Sequence, residues 1–90
     1  MRFTVRWGRR ALDALARVWL DYPSYRANIT QATAATDQLL QEEPETQGES
    51  RDKGRRIVFV LPLAVIFRVD VVRREVRIVD VRIMRTRGGR

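Results

Sequence analysis

Ninety residues carry 18 Lys and Arg against 11 Asp and Glu, with no His and no Cys, for a formal charge of +7. That length makes one small domain, expected to span residues 1–90. Without Cys there is no disulfide or thiolate metal site, and without His there is no Ser-His or Cys-His nucleophile and no imidazole for zinc. No metal or cofactor is therefore expected, and any chemistry must come from Arg, Lys, Tyr, Asp or Glu.

Residues 2–7 alternate, with Phe3, Val5 and Trp7 on one phase and Arg2, Thr4 and Arg6 on the other, which predicts a short strand with one buried side. Gly8 ends it, and the period becomes helical. Leu12, Leu15, Ala16 and Trp19 mark the expected buried stripe of a first helix, with Asp13 and Arg17 as an i,i+4 ion pair outside. Tyr22-Pro23-Ser24 stops that helix. A second runs from about Tyr25 to Glu42, its stripe being Ile29, Ala32 or Thr33, Thr36, Leu39 and Leu40. Trp7 and Trp19 are expected to pack in the core, and Tyr22 and Tyr25 at the helix junction.

Residues 43–54 are polar and aperiodic, hold Pro44, Gly48 and Gly54, and read as a loop of about a dozen residues. Glu42, Glu43, Glu45 and Glu49 give it a solvated acidic character. Three strands follow: Arg55–Val60, Ala64–Val69 across Leu61-Pro62-Leu63, and Glu75–Ile83 after a turn. In the last, Val76 and Ile78 occupy one phase while Val79, Val81 and Ile83 occupy the other, so the strand either carries a β-bulge or passes from one-sided to two-sided burial. Residues 84–90 are a basic tail, expected to be mobile. The order β-α-α-β-β-β predicts an α+β domain, a helical hairpin packed on one face of a mostly antiparallel four-stranded sheet. The longest apolar run, Ile57–Phe67, contains a proline and is far short of a membrane span, so a soluble cytoplasmic protein with no membrane partner is expected.

The charge is unevenly placed. Residues 50–90 hold twelve basic and four acidic side chains, whereas residues 1–49 hold six and seven. A positive field confined to the β-rich half implies a polyanionic partner. Arg68 either enters a nucleic-acid groove on the open face of the sheet or pairs with Asp70 or Asp80. Arg77 and Arg82 have the same choice, with Asp80 or Glu75 as partners. Lys53, the only lysine, lies among Arg51, Arg55 and Arg56; it is the one general-base candidate, since arginine stays protonated and a lysine whose pKa is lowered does not.

The strand 2–7, the helical hairpin with Ala11-Leu12-Asp13-Ala14-Leu15, the loop Gly48-Glu49-Ser50-Arg51, and the strands Arg55–Val60, Val65–Asp70 and Val76–Arg82 together resemble the RelE/ParE toxin superfamily of bacterial type II toxin–antitoxin systems. The resemblance implies a toxin held inactive by a cognate antitoxin, whose extended or helical segment wraps it. The resemblance leaves the target open, since some members cut mRNA on the ribosome and others poison DNA gyrase. The concentrated charge and the element order make the leading expectation inhibition of translation by binding RNA or the ribosome, with mRNA cleavage as a ribosome-dependent endoribonuclease (an mRNA interferase) where the catalytic set is complete. Arg55 or Arg56 falls where the family has basic residues on that strand, and Arg85 where it steadies the scissile phosphate, which makes Lys53, Arg56 and Arg85 the catalytic candidates. Arg51, Lys53, Arg55, Arg56, Arg68, Arg82, Arg85 and Arg87 are the nucleic-acid-binding candidates. The family's arginine at the next strand falls on Leu63, and its C-terminal tyrosine has no counterpart, so the catalytic set is incomplete. Inhibition of DNA gyrase and a catalytically degenerate binding module are the alternatives.

Overall fold

The computed structural model describes residues 2–84. Strand β1 (Thr4–Trp7) leads into helix α1 (Arg9–Asp21), and a 3₁₀ turn at Pro23–Tyr25 leads into α2 (Arg26–Glu42). Strands β2 (Glu49–Ser50), β3 (Arg56–Val60), β4 (Leu63–Asp70) and β5 (Glu75–Ile83) complete a five-stranded sheet in the order β1-β5-β4-β3-β2. The β1–β5 pair is parallel and the other pairs are antiparallel. The α+β class and the helices on one face match the expectation; the sheet has one strand more. The expected mobile tail lies, beyond Met84, outside the described residues.

The additional strand arises inside the polar segment read as loop. Two residues carry no periodicity, so the alternation that marks a strand could not reveal Glu49 and Ser50, which pair with Ile57 and Arg56. The approach to β2 depends on Gly48, whose φ is +68° and where a Cβ would run into the carbonyl oxygen of Ile57. Only glycine fits there without strain.

The core lies between the helices and one face of the sheet. Val58 of β3, Leu63, Val65 and Phe67 of β4, and Val76, Ile78 and Val81 of β5 meet Ala11 and Val18 of α1 and Ile29, Ala32 and Leu40 of α2. Thr36 is fully buried on α2 but donates its hydroxyl to the Ala32 carbonyl at 2.7 Å, which removes the cost of an unpaired polar group. Beside it, Trp7 donates its indole N–H to Asp37 at 2.8 Å, tying β1 to α2.

The α1 stripe differs from expectation. Its buried side is Ala11 and Val18, with Ala14 and Leu15 partly covered, while Leu12, Trp19 and Leu20 are exposed. Gly8 N–H bonds to the Ile78 carbonyl at 2.9 Å and delivers α1 alongside β5, with Ala11 completely buried. Trp19 lies instead beneath Arg26, with the guanidinium carbon 5.4 Å from the ring centroid. Asp13 and Arg17 are exposed and form no ion pair among the described residues. At the junction Tyr22 and Tyr25 stack with centroids 6.1 Å apart, as helix-junction packing requires.

Candidate nucleic-acid interface

Alternation along β3, β4 and β5 sends every second side chain to the face the helices do not cover. On β3 these are Ile57 and Phe59, and on β4 Ala64, Ile66 and Arg68. On β5, Arg77 and Arg82 stand an odd number of positions apart, so a regular strand would place them on opposite faces. They share one because the register slips: Ile66 pairs with Asp80 and Phe67 with Ile78, leaving Val79 as the extra residue of a bulge. The phase switch read in the sequence is this bulge. It keeps Val76, Ile78 and Val81 in the core while aiming Arg77, Asp80 and Arg82 outward.

The outward face forms an open groove of about 360 Å³ lined by Arg10, Arg55, Ile66, Arg68, Arg77, Val79, Asp80 and Arg82. A second groove of about 710 Å³ shares Arg55, Ile66 and Arg82 with it and continues to Ser50, Arg51, Asp52 and Ile57. The first holds five guanidinium groups against a single carboxylate.

Within it, arginines face arginines. Arg77 is directly opposite Arg68 on β4 and Arg6 on β1, and Arg55 precedes the Arg56–Phe67 pair at the same level. Like charges directly opposed on a sheet cost on the order of 0.2–1 kcal/mol per pair. Arg6 is relieved by Glu75 at 3.3 Å. Arg68 and Arg77 are exposed and form no hydrogen bond or ion pair with any described residue. Asp70, one of the partners considered for Arg68, instead lies 4.0 Å from Arg73.

Asp80 is the other centre of the groove. Its side chain is 17% exposed, accepts the Val81 backbone N–H at 2.9 Å, and lies 4.0 Å from Arg10 and 3.9 Å from Arg82. These ion pairs are long, and Arg10 and Arg82 are mostly exposed, so neither guanidinium is fixed by the contact. Among the described residues no group of three or more acidic side chains gathers to hold a metal ion.

The other sequence candidates separate from the groove in different ways. Arg56 points to the helix side, where its guanidinium donates to the carbonyls of Gln47 at 2.8 Å and Gly48 at 3.1 Å and to the Ser50 hydroxyl at 3.0 Å, fastening the segment before β3. Lys53 sits exposed in a tight turn with φ +63°, with no hydrogen bond or ion pair to a described residue. Arg51 lines the second groove and lies 3.5 Å from Glu49. Leu63 is fully buried in the core. Arg85 and Arg87 lie outside the described residues.

Two solved structures share this architecture. A chain of the chromosomal ParDE TA system from P. aeruginosa superposes with a TM-score of 0.72 at 20% identity, covering 93% of this chain and 98% of that one. A chain of the toxin–antitoxin complex RelBE2 from Mycobacterium tuberculosis gives 0.67 at 20% identity, covering 92% of each. The chain has the RelE/ParE fold. No family model matches it, and no curated protein matches it in sequence.

On this RelE/ParE fold, sequence reasoning missed Arg10, Asp80 and Phe59 as residues of the open face. Arg10 stands on α1, far in sequence from β5, and only the close approach of that helix carries it to Asp80. In the sequence Asp80 reads solely as a charge partner. Arg77 does not stand out there, because the spacing from Arg82 hides their common face until the bulge is placed.

Proposed function

We propose that this protein is the toxin component of a type II toxin–antitoxin system, acting in the cytoplasm by binding RNA on the ribosome and blocking translation. The observation that carries the reading is the directly opposed pair Arg68 and Arg77, held unpaired in a groove of five guanidinium groups. A fold keeps like charges face to face, at a cost to itself, where an external polyanion supplies the missing counter-charge. Guanidinium forks suit phosphate because they bind it bidentately and stay charged. The fold shared with chains from a ParDE and a RelBE2 system supports the toxin assignment. The exposed stripe Leu12, Trp19 and Leu20 on α1 supports a cognate antitoxin partner, since an apolar helix face is a docking surface for an amphipathic segment.

Arg51, Arg55, Arg68, Arg77 and Arg82 form the phosphate-binding set in this proposal. Cleavage through Lys53, Arg56 and Arg85 is not part of it, because Arg56 is engaged with the loop and Lys53 lines neither groove. Expression without an antitoxin should stop growth, with radiolabelled amino-acid incorporation falling before thymidine incorporation. Normal growth with normal incorporation overturns the proposal.

A second reading, inhibition of DNA gyrase, is favoured by Leu63. Its complete burial puts a core side chain where the resemblance places the family's arginine. Under it, purified protein would block gyrase supercoiling and thymidine incorporation would fall first; unimpaired supercoiling at micromolar protein removes this reading.

A further inference from the structure

Phe59 is an aromatic ring standing in the open, 48% exposed, at the end of the arginine-lined face. Its neighbours on β3, Val58 and Val60, belong to the core or pack against it, so alternation alone sends Phe59 outward. A ring left half in water contributes less by burial than one packed in the core. Across the sheet, Phe59 pairs with Ala64, and Ala64 pairs with Arg82. An aromatic ring and a guanidinium thus flank a single methyl group.

The spacing suits a nucleobase. Adjacent strands lie about 4.8 Å apart, which puts Phe59 and Arg82 roughly 9.5 Å apart at the backbone. A flat base between two π-faces needs about 7–8 Å, twice the ordinary carbon–carbon contact distance. Ala64 is only 3% exposed, so a base seated over it has to displace what covers it in the free protein. Arg82 can swing aside, being 72% exposed and tied, among the described residues, only by its 3.9 Å pair to Asp80. Arg55, the residue just before β3, lies four residues from Phe59, about 13 Å in extended chain, so the phosphate row and the ring are within reach of one short extended strand of RNA.

We propose that Phe59 is a base-stacking platform, opposed by Arg82 across Ala64, which makes the open face a site for single-stranded RNA in preference to duplex. Base stacking on an aromatic requires an unpaired, splayed base, whereas phosphate contacts serve either form. This rests on the nucleic-acid reading above and adds the form of the ligand.

The test compares wild type, Phe59→Ala and Phe59→Trp for binding to a labelled oligouridylate and to a labelled blunt-ended RNA duplex, with Arg68→Ala/Arg77→Ala in parallel and thermal unfolding recorded for each. Phe59→Ala should weaken oligouridylate binding about 5- to 100-fold. It should leave duplex binding and the salt dependence of both unchanged, since no phosphate contact is removed. Phe59→Trp should retain wild-type affinity. If Phe59→Ala binds oligouridylate like wild type while the arginine variant loses both RNAs, the stacking platform is overturned and the phosphate-binding reading stands. Equal losses on both RNAs also overturn it, as does intact RNA affinity combined with lost toxicity, which would assign Phe59 to a protein contact. A wild-type protein that binds neither RNA overturns the inference and the reading beneath it together.

Discussion

On the helix-covered face of the sheet, Leu63, Val65, Phe67, Val76 and Ile78 are completely buried. One residue further along the same strands, Arg68 and Arg77 stand opposite each other in water with no acidic partner among the described residues. The first face is chosen for packing: apolar, close-fitting, with its one buried polar side chain, Thr36, satisfied by the backbone. The second violates the pairing rule that the first face's polar groups obey. Two faces built from the same backbone differ because only one must specify the fold. The bulge at Val79 lets β5 serve both, since without it Arg82 would turn into the core or Val81 out of it.

Substitutions on the two faces should therefore separate stability from binding. The largest effect belongs to the covered face: Phe67→Ala should lower unfolding free energy by about 3–5 kcal/mol in urea titration, enough to threaten a domain of this size. Gly48→Ala should follow at about 1–3 kcal/mol, from strain at its positive φ. That change should also loosen the Arg56-fastened segment bearing Arg51, and so weaken RNA binding. A binding loss without any stability loss would separate that loop from the fold.

Crossing to the open face, the sign changes. Arg77→Ala should leave stability unchanged or raise it by up to about 1 kcal/mol, because it removes like-charge opposition to Arg6 and Arg68. The slope of log affinity against log salt for RNA should fall by about one. Marked destabilisation would mean that Arg77 is structural. The smallest change is expected from Asp80→Asn, which deletes the groove's single carboxylate and frees Arg10 and Arg82. RNA affinity should rise a few-fold; a fall would show that Asp80 holds those arginines in their binding positions.

The contrast between faces also governs what could be read from the sequence. Strands and helices were legible where burial imposes a period, as in Phe3, Val5 and Trp7 or Ile29, Ala32, Thr36 and Leu40, and the phase switch in β5 marked the place of its bulge, one of the two readings it allows. The stripe of α1 was misjudged because large apolar residues dominate such a pattern. The most buried residue of α1 is instead Ala11, whose small side chain adds little weight to such a pattern. β2 was illegible because two residues have no period. On the open face, Arg68 stood out by interrupting an apolar strand, whereas Arg10 and Asp80 meet only through tertiary packing. Arg56 read like its neighbour Arg55, yet alternation sends the two to opposite faces, and only Arg55 lines the groove.

The central claim is that the unpaired arginines of the open face are the working surface. Its most direct test is expression of wild type and of Arg68→Ala/Arg77→Ala at equal levels without antitoxin, following radiolabelled amino-acid incorporation. Wild type should arrest incorporation, and the double variant, as stable as wild type in thermal unfolding, should leave it near normal. A stable double variant that still arrests translation would contradict the account.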